Sequence, residues 1–361
     1  MIMSAKIAIV GTGLIGGSLG LALHGAPGVE RIIGIDNDNE SLQRALEIGA
    51  IDQIATLEEG IVQADIVFLC SPLESFPFLI EKMAQYIRIG TIVTDVGSTK
   101  LMVMEWMENL PEGVHIIGGH PMAGSEIKGI QGADGYLFEN AVYVLTPKPT
   151  VPQEAVQQLT ELLAVTGAKI KIMDAHMHDE MVALVSHIPH LAAVSLVNLT
   201  EGRPDLLMMA AGGFRDTTRV ASSNPSLWKG ILVTNRAAII EGLDQYIASL
   251  TRLSWALKKN DHGVLLEELT RAQAIREEIP HGQKGLMPAM CDVICIVADR
   301  PGVIGELGRI LGDHNINIAD IEILRVREGD GGTIRLGVAD LQEGQKAVQA
   351  LQAASIKAWI R

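Results

Sequence analysis

The sequence predicts an α/β protein in three parts: a parallel sheet wound with helices, an all-helical region, and a small β-α-β-β-α-β module. Three observations support this order. Short, continuously apolar runs alternate with helical patterns as far as residue 173, which is typical of a parallel sheet covered on both faces. The strand signal disappears between residues 174 and 280. It returns in residues 291–361, after a segment rich in Pro and Gly.

The first part, residues 1–173, alternates predicted strands with predicted helices. The strands are expected at residues 6–10, 31–36, 64–70, 91–95, 115–117, 141–145 and 169–173. The helices with the clearest pattern span residues 14–23, 40–48 and 154–165. Because the strand segments are apolar throughout and do not alternate with polar residues, we expect a parallel sheet with helices on both faces.

The second part, residues 174–280, carries apolar residues at helical spacing and is predicted to be a helical domain. Met181, Leu184, Val185 and Ile188 show the pattern, in which apolar residues recur three and four positions apart. These helices are long and evenly apolar, so they fit an intertwined dimer better than a core of their own.

The third part is predicted to be a linker, residues 281–290, followed by a ferredoxin-like module, residues 291–361. Its strands are expected at residues 292–297, 317–327, 332–338 and 356–360, and its helices at residues 302–314 and 342–353. Residues 329–332, with three glycines and an aspartate, predict a hairpin turn between its second and third strands.

The composition excludes several classes of protein. The chain has 361 residues, of which 48% are hydrophobic and 20% charged, so it is not a disordered or charge-rich tail protein. Its 29 basic and 43 acidic residues give a net charge of −14, which argues against a nucleic-acid surface and against anionic lipid headgroups. A small anionic substrate would need a local positive site, because the overall negative charge of the protein repels it.

The three cysteines, Cys70, Cys291 and Cys295, have neither the number nor the spacing of a disulfide framework or a zinc site. We expect them to be buried small hydrophobic residues in a reducing compartment, and we expect no metal. The N-terminus leads directly into a strand and does not resemble a signal peptide, and no segment is interpreted as a membrane span. The prediction is therefore a cytoplasmic protein.

A glycine-rich motif follows the first predicted strand and opens the first helix. It consists of Gly11, Thr12, Gly13, Leu14, Ile15 and Gly16. In this context G-x-G-x-x-G indicates a Rossmann-like dinucleotide site. The first glycine permits the tight turn, the second allows the pyrophosphate to approach the backbone, and the third allows close packing of helix and strand. The helix N-terminus supplies N–H donors and a partial positive charge.

Asp36 ends the second predicted strand, 20 residues after Gly16. A carboxylate at this position accepts hydrogen bonds from the adenosine ribose and repels a 2′-phosphate, so the cofactor is predicted to be NAD and not NADP. Ser71 and Pro72 follow the third predicted strand, where the carboxyl edge of the sheet borders the cofactor.

Polar residues also follow the next two strands. Ser98 lies after the fourth strand, and His120 and Ser125 lie after the fifth. Ligands of open α/β sheets bind outside the carboxyl ends of the strands, so these side chains are expected near the nicotinamide. A dehydrogenase needs a base or hydrogen-bond acceptor for the alcohol proton, and histidine suits that role.

The helical part contains a second polar cluster. His187 and His190 are three residues apart on an otherwise apolar helix, but no cysteine or carboxylate pair completes a metal site. Further along, Arg215 and Arg219 lie beside glycines and helix starts. In a chain of net charge −14, either arginine is a candidate anchor for a carboxylate.

Five segments together resemble the prephenate dehydrogenases of tyrosine biosynthesis. They are residues 11–16, 95–100, 119–126, 186–190 and 213–219. Residues 299–306 and 315–318 resemble an ACT domain, a module that commonly binds amino acids. The resemblance covers nearly the whole chain and implies a Rossmann-like domain, a helical dimerisation domain and a C-terminal ACT domain.

The resemblance also implies residue roles in NAD-dependent oxidative decarboxylation of prephenate to 4-hydroxyphenylpyruvate. It assigns His120 to a hydrogen bond with the ring hydroxyl, and Ser98 to support of that hydroxyl and the cofactor. Arg219 would take a carboxylate of the substrate. The other pocket residues implied are Ser125, Glu126, His190, Asp216 and Trp228.

The C-terminal module is expected to bind an effector. Free backbone N–H groups at the start of its first helix suit an amino-acid carboxylate, and asparagines in the following turn suit the same ligand. The predicted effector residues are Asp299, Pro301, Gly302, Val303, Asn315 and Asn317. The resemblance implies that two modules pair side by side in a homodimer, with tyrosine as the natural effector.

Two alternatives stay open at this point. Arogenate dehydrogenase differs only in an amino group on the substrate. A regulatory amino-acid-binding protein would use the C-terminal module and keep the first domain as a redox sensor, but the polar set at Ser98, His120 and Arg219 argues against it.

Overall fold

The computed structural model describes most of the chain and divides it into two compact units, Met1–Glu268 and Leu269–Arg361. The described residues are 4–124, 127–278, 291–298, 300–324 and 332–360. Predictions for Ser125, Glu126, Asp299, the 281–290 linker and most of the 329–332 turn lie outside them. The boundaries predicted at residues 173, 280 and 290 stay predictions.

The first unit is built on an eight-stranded sheet. Its strands in chain order are β1 (Ala5–Val10), β2 (Val29–Ile35), β3 (Gln53–Ile54), β4 (Ile66–Leu69), β5 (Ile92–Asp95), β6 (His115–Pro121), β7 (Val142–Pro147) and β8 (Lys169–Ile172). Their order across the sheet is β3-β2-β1-β4-β5-β6-β7-β8. Strand β3 was not predicted, because its two residues are too few to give a periodic signal.

The expected all-parallel sheet is wrong at one position: β7 runs antiparallel to β6, while the other neighbouring pairs are parallel. A parallel neighbour needs a long crossover, usually through a helix. The described part of the β6–β7 connection contains one 3₁₀ turn, Ile130–Gly132, and no α-helix that would carry the chain across the sheet. The sheet is therefore mostly parallel.

Helices cover both faces of this sheet, as the apolar strands predict. They are α1 (Leu14–Leu23), α2 (Asn39–Glu47), α3 (Leu57–Gln63), α4 (Phe76–Met83), α5 (Leu101–Met107) and α6 (Gln153–Ala164). One buried core includes residues of α1, α2 and α6, and a second includes residues of α3, α4 and α5. The two cores hold the carboxyl ends of the strands, and the loops that follow them, in a fixed frame.

The region after β8 is helical throughout its described length, as predicted. It contains α7 (Ala175–Val182), α8 (Ile188–Asn198), α9 (Pro204–Met209), α10 (Gly212–Thr218), α11 (Pro225–Thr234), α12 (Arg236–Lys259) and α13 (His262–Glu278). Residues 183–187 form a π-helical turn between α7 and α8. Pro189 lies in the first turn of α8, where its missing N–H is tolerated. π-Helical turns like the one at residues 183–187 are frequent at functional sites.

Among the described residues, the continuous stretch 175–198 is long and apolar enough by composition to cross a membrane. The expectation that no segment has this character is therefore not confirmed. Four buried polar side chains interrupt this stretch: His178, Asp179, His187 and His190. Ionisable groups are costly in a lipid core, so these four side chains argue against a membrane-spanning role for the stretch.

The second unit contains the predicted β-α-β-β-α-β module. Its elements are β9 (Cys291–Val297), α14 (Val303–Asp313), β10 (Asp320–Leu324), β11 (Gly332–Val338), α15 (Leu341–Ala353) and β12 (Lys357–Ile360). The sheet order is β10-β11-β9-β12, and the described pairs are antiparallel. Both helices pack on one face of this sheet over a core of its own. The predicted strand at residues 317–327 begins later, at Asp320.

The cysteines are free, but only Cys295 is fully buried, whereas Cys70 and Cys291 are half-buried. The expectation of three buried cysteines is therefore wrong for two of them. Burial raises the pKa of Cys70 and Cys295, to about 11 for the latter, so neither thiol is an activated nucleophile at neutral pH.

Candidate functional site

The glycine loop between β1 and α1 has the shape that a dinucleotide pyrophosphate requires. Gly11 has φ +103°, and a Cβ there would lie 2.7 Å from backbone atoms of Cys70 and Ser71. A Cβ on Gly16 would lie 2.0 Å from the carbonyl oxygen of Gly11. These two positions therefore admit only glycine, because the β1 and β4 ends and the start of α1 are packed in direct backbone contact.

Gly13 is different, because a Cβ built there meets no heavy atom within 4 Å. It is the N-cap of α1, and no side-chain capping bond is made at this end of the helix. Leu14 and Ile15 follow in the first turn and pack against the apolar core. The loop thus offers a phosphate-sized cradle at a helix N-terminus, and the residues fit a nicotinamide dinucleotide.

Asp36 lies directly after β2 and faces the glycine loop. Its Oδ2 accepts hydrogen bonds from the backbone N–H of Thr12 (2.7 Å) and from the Thr12 hydroxyl (3.1 Å). Its Oδ1 accepts from the N–H of Asp38 (3.0 Å). The residue is where the sequence predicts it, but three internal hydrogen bonds already hold its carboxylate.

Ser71 and Pro72 follow β4 and border the same loop. The Ser71 hydroxyl is hydrogen-bonded to the hydroxyl of Ser75 (2.8 Å), and the latter donates to the carbonyl of Pro72 (2.7 Å). The turn after β4 is therefore held by its own hydrogen bonds, and its backbone packs directly against Gly11.

His120, near the end of β6, is buried with 8% of its surface exposed, and its Nδ1 lies 2.8 Å from Nε2 of His178 in α7. The Nδ1 of His178 lies 2.7 Å from Oδ1 of Asp179. A carboxylate only accepts, so the His178 Nδ1 carries the proton and its Nε2 accepts from the His120 Nδ1–H. The Nε2 of His120 is then left as a lone-pair acceptor.

Asp179 also fixes the start of α5. Its Oδ1 accepts from the N–H of Lys100 (2.7 Å), and its Oδ2 accepts from the N–H of Leu101 (2.9 Å). Neither His178 nor Asp179 is among the site residues predicted from the sequence. An adjacent pair of ionisable residues at the start of an apolar helix is the sequence feature that indicates them.

Lys100 and Asp95 form a fully buried ion pair beside His120. Asp95 accepts from the N–H of Gly119 (2.9 Å) and of Gly97 (2.7 Å). The ammonium of Lys100 donates to the carbonyl of Gly119 (2.6 Å). The ion pair therefore binds both the N–H and the carbonyl of Gly119, the residue that precedes His120. It also fixes both ends of the short loop that carries Ser98, which is half-buried.

Burial keeps the imidazoles of His120 and His187 neutral at neutral pH. It lowers the pKa of His120 well below its ordinary value of 6.5, and the nearby His178, Lys100 and His187 lower it further. Burial likewise lowers the pKa of His187 to about 4, against a smaller opposite effect of Asp179. At neutral pH His120 is therefore an acceptor and not a cation, which suits a hydrogen bond from a substrate hydroxyl.

The second predicted cluster is assembled on Trp228 of α11. The ring of His190 stacks on the indole with centroids 3.5 Å apart and planes 5° apart, and His187 approaches it edge-on at 6.0 Å. The amide of Asn235 bridges the Nδ1 of His187 (3.2 Å) and the carbonyl of Asp179 (2.8 Å). The two histidine clusters thus share one hydrogen-bonded frame.

The Nδ1 of His190 is a buried polar atom without a hydrogen-bond partner among the described residues. His190 is also hydrogen-bonded to the backbone at Val220, in the 3₁₀ turn Arg219–Ser222. The turn that carries Arg219 is therefore anchored beside the imidazole. Arg215, Asp216 and Arg219 are all exposed.

In the second unit, the predicted effector residues that the structure describes lie before, at and after the ends of α14. Gly302 is its N-cap with φ +89°, and a Cβ there would meet no atom within 4 Å. Pro301 precedes it, Val303 opens the helix, and both Asn315 and Asn317 are exposed after its end. Asn315 adopts φ +57°, which suits asparagine in the turn before β10.

A nucleotide cradle on a mostly parallel sheet, with a buried neutral histidine near the carboxyl end of β6, defines an NAD-dependent oxidoreductase with a helical second domain. Three family descriptions match this chain: "Prephenate dehydrogenase, nucleotide-binding domain" over residues 19–172, "Prephenate dehydrogenase, dimerization domain" over residues 174–271, and "ACT domain" over residues 292–355.

Relatives match over nearly the whole length. The prephenate dehydrogenase of Bacillus subtilis is 37% identical over 97% of this chain and 96% of that protein. The cyclohexadienyl dehydrogenase of Zymomonas mobilis is 33% identical over 76% of this chain and 96% of its own. The chain therefore belongs to the prephenate dehydrogenase family.

Solved structures agree with this assignment. The prephenate dehydrogenase of Aquifex aeolicus, in complex with hydroxyphenyl propionate and NAD⁺, has a TM-score of 0.71 and 29% identity, and covers 76% of this chain and 98% of its own. The arogenate dehydrogenase of Synechocystis has a TM-score of 0.68 and 33% identity, and covers 76% of this chain and 99% of its own.

Proposed function

We propose that this protein oxidises and decarboxylates prephenate to 4-hydroxyphenylpyruvate with NAD⁺. The observation that carries the proposal is the buried row of His120, His178 and Asp179, which leaves a neutral imidazole with a free Nε2 acceptor. It supports a reaction in which a ring hydroxyl must be held and polarised and not deprotonated outright.

The stoichiometry is consistent with such an acceptor. The carbon that bears the hydroxyl loses its hydrogen as hydride, the ring carboxylate leaves as carbon dioxide, and its bonding electrons complete the aromatic ring. Bound NAD⁺ supplies the hydride acceptor. The hydroxyl keeps its proton in the phenol product, so His120 need only accept a hydrogen bond while charge develops. Aromatisation drives the reaction, and the protein contributes mainly positioning.

The remaining residues are proposed to hold the two ligands. Gly11, Gly13 and Gly16 with the α1 N-terminus hold the cofactor pyrophosphate, with Thr12, Leu14, Ile15, Asp36, Ser71 and Pro72 around the same loop. Ser98 supports the ring hydroxyl, and Arg219 takes a substrate carboxylate beside His190 and Trp228. Asp216 shapes the same region, and the proposed roles of Ser125 and Glu126 concern residues outside the described part of the chain.

A second candidate substrate is arogenate, because the relatives and similar structures include enzymes named for arogenate. Prephenate is favoured by the relative from Bacillus subtilis, which is named for prephenate and matches the full length. The alternative of a redox-sensing regulatory protein predicts no turnover at all.

The test is steady-state turnover of the full chain with NAD⁺ and either prephenate or arogenate, followed by NADH absorbance. We expect turnover with prephenate and a kcat/KM for arogenate at least roughly tenfold lower, since the enzyme is not selected to bind the amino group. Preference for arogenate would contradict the substrate assignment. Absence of NADH with both would contradict the enzymatic function.

We further propose a homodimer formed through the helical region. The buried apolar core of that region is small, consisting of Ala183, Ile188 and Ile239. Large apolar side chains on α8, α9 and α12 are exposed instead, including Val197, Leu207, Met208, Met209, Ile247 and Leu250. An exposed apolar surface of this kind is typical of a protein interface.

We also propose that the protein is cytoplasmic, because this location suits its proposed biosynthetic role.

Tyrosine is the proposed effector of the C-terminal module. What supports it is the open, uncapped N-terminus of α14 at Gly302, together with the exposed amides of Asn315 and Asn317. Asp299 belongs to the same proposed site but lies outside the described residues. An amino acid offers a carboxylate for the helix N-terminus and an ammonium for side-chain oxygens.

A further inference from the structure

The Asp36 carboxylate is hydrogen-bonded to a chain of two buried hydroxyl groups, those of Thr12 and Ser41. The hydroxyl of Thr12, a residue with no exposed surface, lies 3.1 Å from Oδ2 of Asp36 and 3.1 Å from the hydroxyl of Ser41 in α2. The Ser41 hydroxyl also lies 3.1 Å from the Thr12 carbonyl. The charged carboxylate is the strongest acceptor, so Thr12 donates to Asp36, and the single Ser41 proton is shared between the hydroxyl and the carbonyl of Thr12.

These contacts use most of the acceptor capacity of the carboxylate. A carboxylate offers about four lone-pair positions, two on each oxygen. The N–H and hydroxyl of Thr12 occupy both positions on Oδ2, and the N–H of Asp38 occupies one on Oδ1. One position on Oδ1 is left, which is enough for a single ribose hydroxyl.

The surroundings of Asp36 carry negative charge. Residues 36–41 include Asp36, Asp38 and Glu40 and contain no Lys or Arg. Arg44, one turn further along α2, is ion-paired with Glu47 at 3.0 Å. A 2′-phosphate at the ribose would therefore meet a carboxylate that cannot turn away, because Thr12 holds it in place.

We propose that Thr12 and Ser41 determine the selectivity for NAD over NADP by fixing the Asp36 carboxylate in the orientation that accepts one ribose hydroxyl. Thr12 is then a specificity residue that acts through Asp36, and Ser41 supports Thr12. The inference rests on the dinucleotide use of the proposed function, but not on which ring substrate is oxidised.

The experiment is fluorescence titration of the full-length protein with NADH and with NADPH, without ring substrate. Thr12→Val keeps the volume, the β-branch and the backbone N–H but removes the hydroxyl. We expect it to raise the Kd for NADH roughly tenfold, the usual effect of losing a hydrogen bond to a charged group, and to leave the Kd for NADPH unchanged or lower. Ser41→Ala should shift the ratio of the two Kd values in the same direction by about threefold, as a neutral hydrogen bond would.

Two controls separate selectivity from loop damage. Thr12→Ser keeps the hydroxyl and should keep the wild-type ratio. Thr12→Val in an Asp36→Asn background should have no further effect on the ratio, because Thr12 acts only through the carboxylate. Equal weakening of NADH and NADPH, or an undiminished effect in that background, would overturn the proposal. Failure of the prephenate assay would leave this binding result untouched.

Discussion

The role proposed for His120, accepting a hydrogen bond, depends on the order of protons along three side chains. Asp179 can only accept, so it sets the tautomer of His178, and His178 in turn sets that of His120. Burial and the nearby cation of Lys100 keep the ring neutral. A histidine on an exposed loop would be partly protonated near pH 6.5, whereas this one stays an acceptor across the physiological range.

His120→Asn should lower kcat by roughly 10²–10⁴ while leaving NADH binding unchanged, because the shorter amide remains polar but does not reach the position of the Nε2 acceptor. In the wild type, kcat/KM should be constant near neutral pH and fall only well below pH 6.5, where His120 takes up a proton. The pH profile of the variant should lack that decline. Wild-type turnover in the variant, measured by NADH absorbance, would rule out the role.

The pairing of β5 with β6 shows how side chains can replace a backbone ladder. The two strands pair only at Ile92 with His115 and Val93 with Ile116. Beyond that point, the Asp95–Lys100 ion pair binds the N–H and the carbonyl of Gly119. The end of β6 and its histidine are therefore held by a buried salt bridge.

Lys100→Met should destabilise the protein by about 3–5 kcal/mol, because it leaves the buried Asp95 carboxylate without a partner. The matched control is Lys100→Met combined with Asp95→Asn, which removes both charges and should recover part of the loss. Chemical denaturation of the two variants measures the difference. If the double variant is less stable than Lys100→Met alone, the carboxylate is not the source of the cost.

Considered as a whole, the molecule carries the proposed catalytic site and the ACT domain in different units. The dinucleotide cradle and both histidine clusters lie in the unit Met1–Glu268, and the ACT domain lies in Leu269–Arg361. The relative from Zymomonas mobilis matches this chain over almost all of its own length but only 76% of this one. A chain of about that length is therefore sufficient for a dehydrogenase of this family.

Deleting residues 290–361 should leave an active enzyme that tyrosine no longer inhibits through the ACT domain. The reason is that the proposed catalytic residue His120 and its partners His178 and Asp179 lie wholly outside the deleted segment. Initial rates of both forms with and without millimolar tyrosine, and calorimetric titration of the full chain, are the measurements. No tyrosine binding to the full chain would refute the effector assignment. Inhibition that survives the deletion would place tyrosine in the active site.

Much of the architecture follows from local pattern in the sequence. Helix α1 begins and ends where its apolar run does, at Leu14 and Leu23, because a glycine loop and a strand enclose it. The positions of Gly11, Asp36 and His120 at strand ends are also local, since strand ends are marked by a change from apolar to polar residues. The antiparallel β7 was not predictable, because strand direction depends on the path of the connection.

The sequence by itself determined which residues could do chemistry: the glycine loop, Asp36, Ser98, His120 and the polar cluster on the apolar helix. Only the tertiary structure decided how they act. His178 approaches His120 from 58 positions away, and Lys100 is paired with Asp95 in a site closed to solvent. Protonation and tautomer depend on burial and on long-range partners, and these arise only when separate elements pack together.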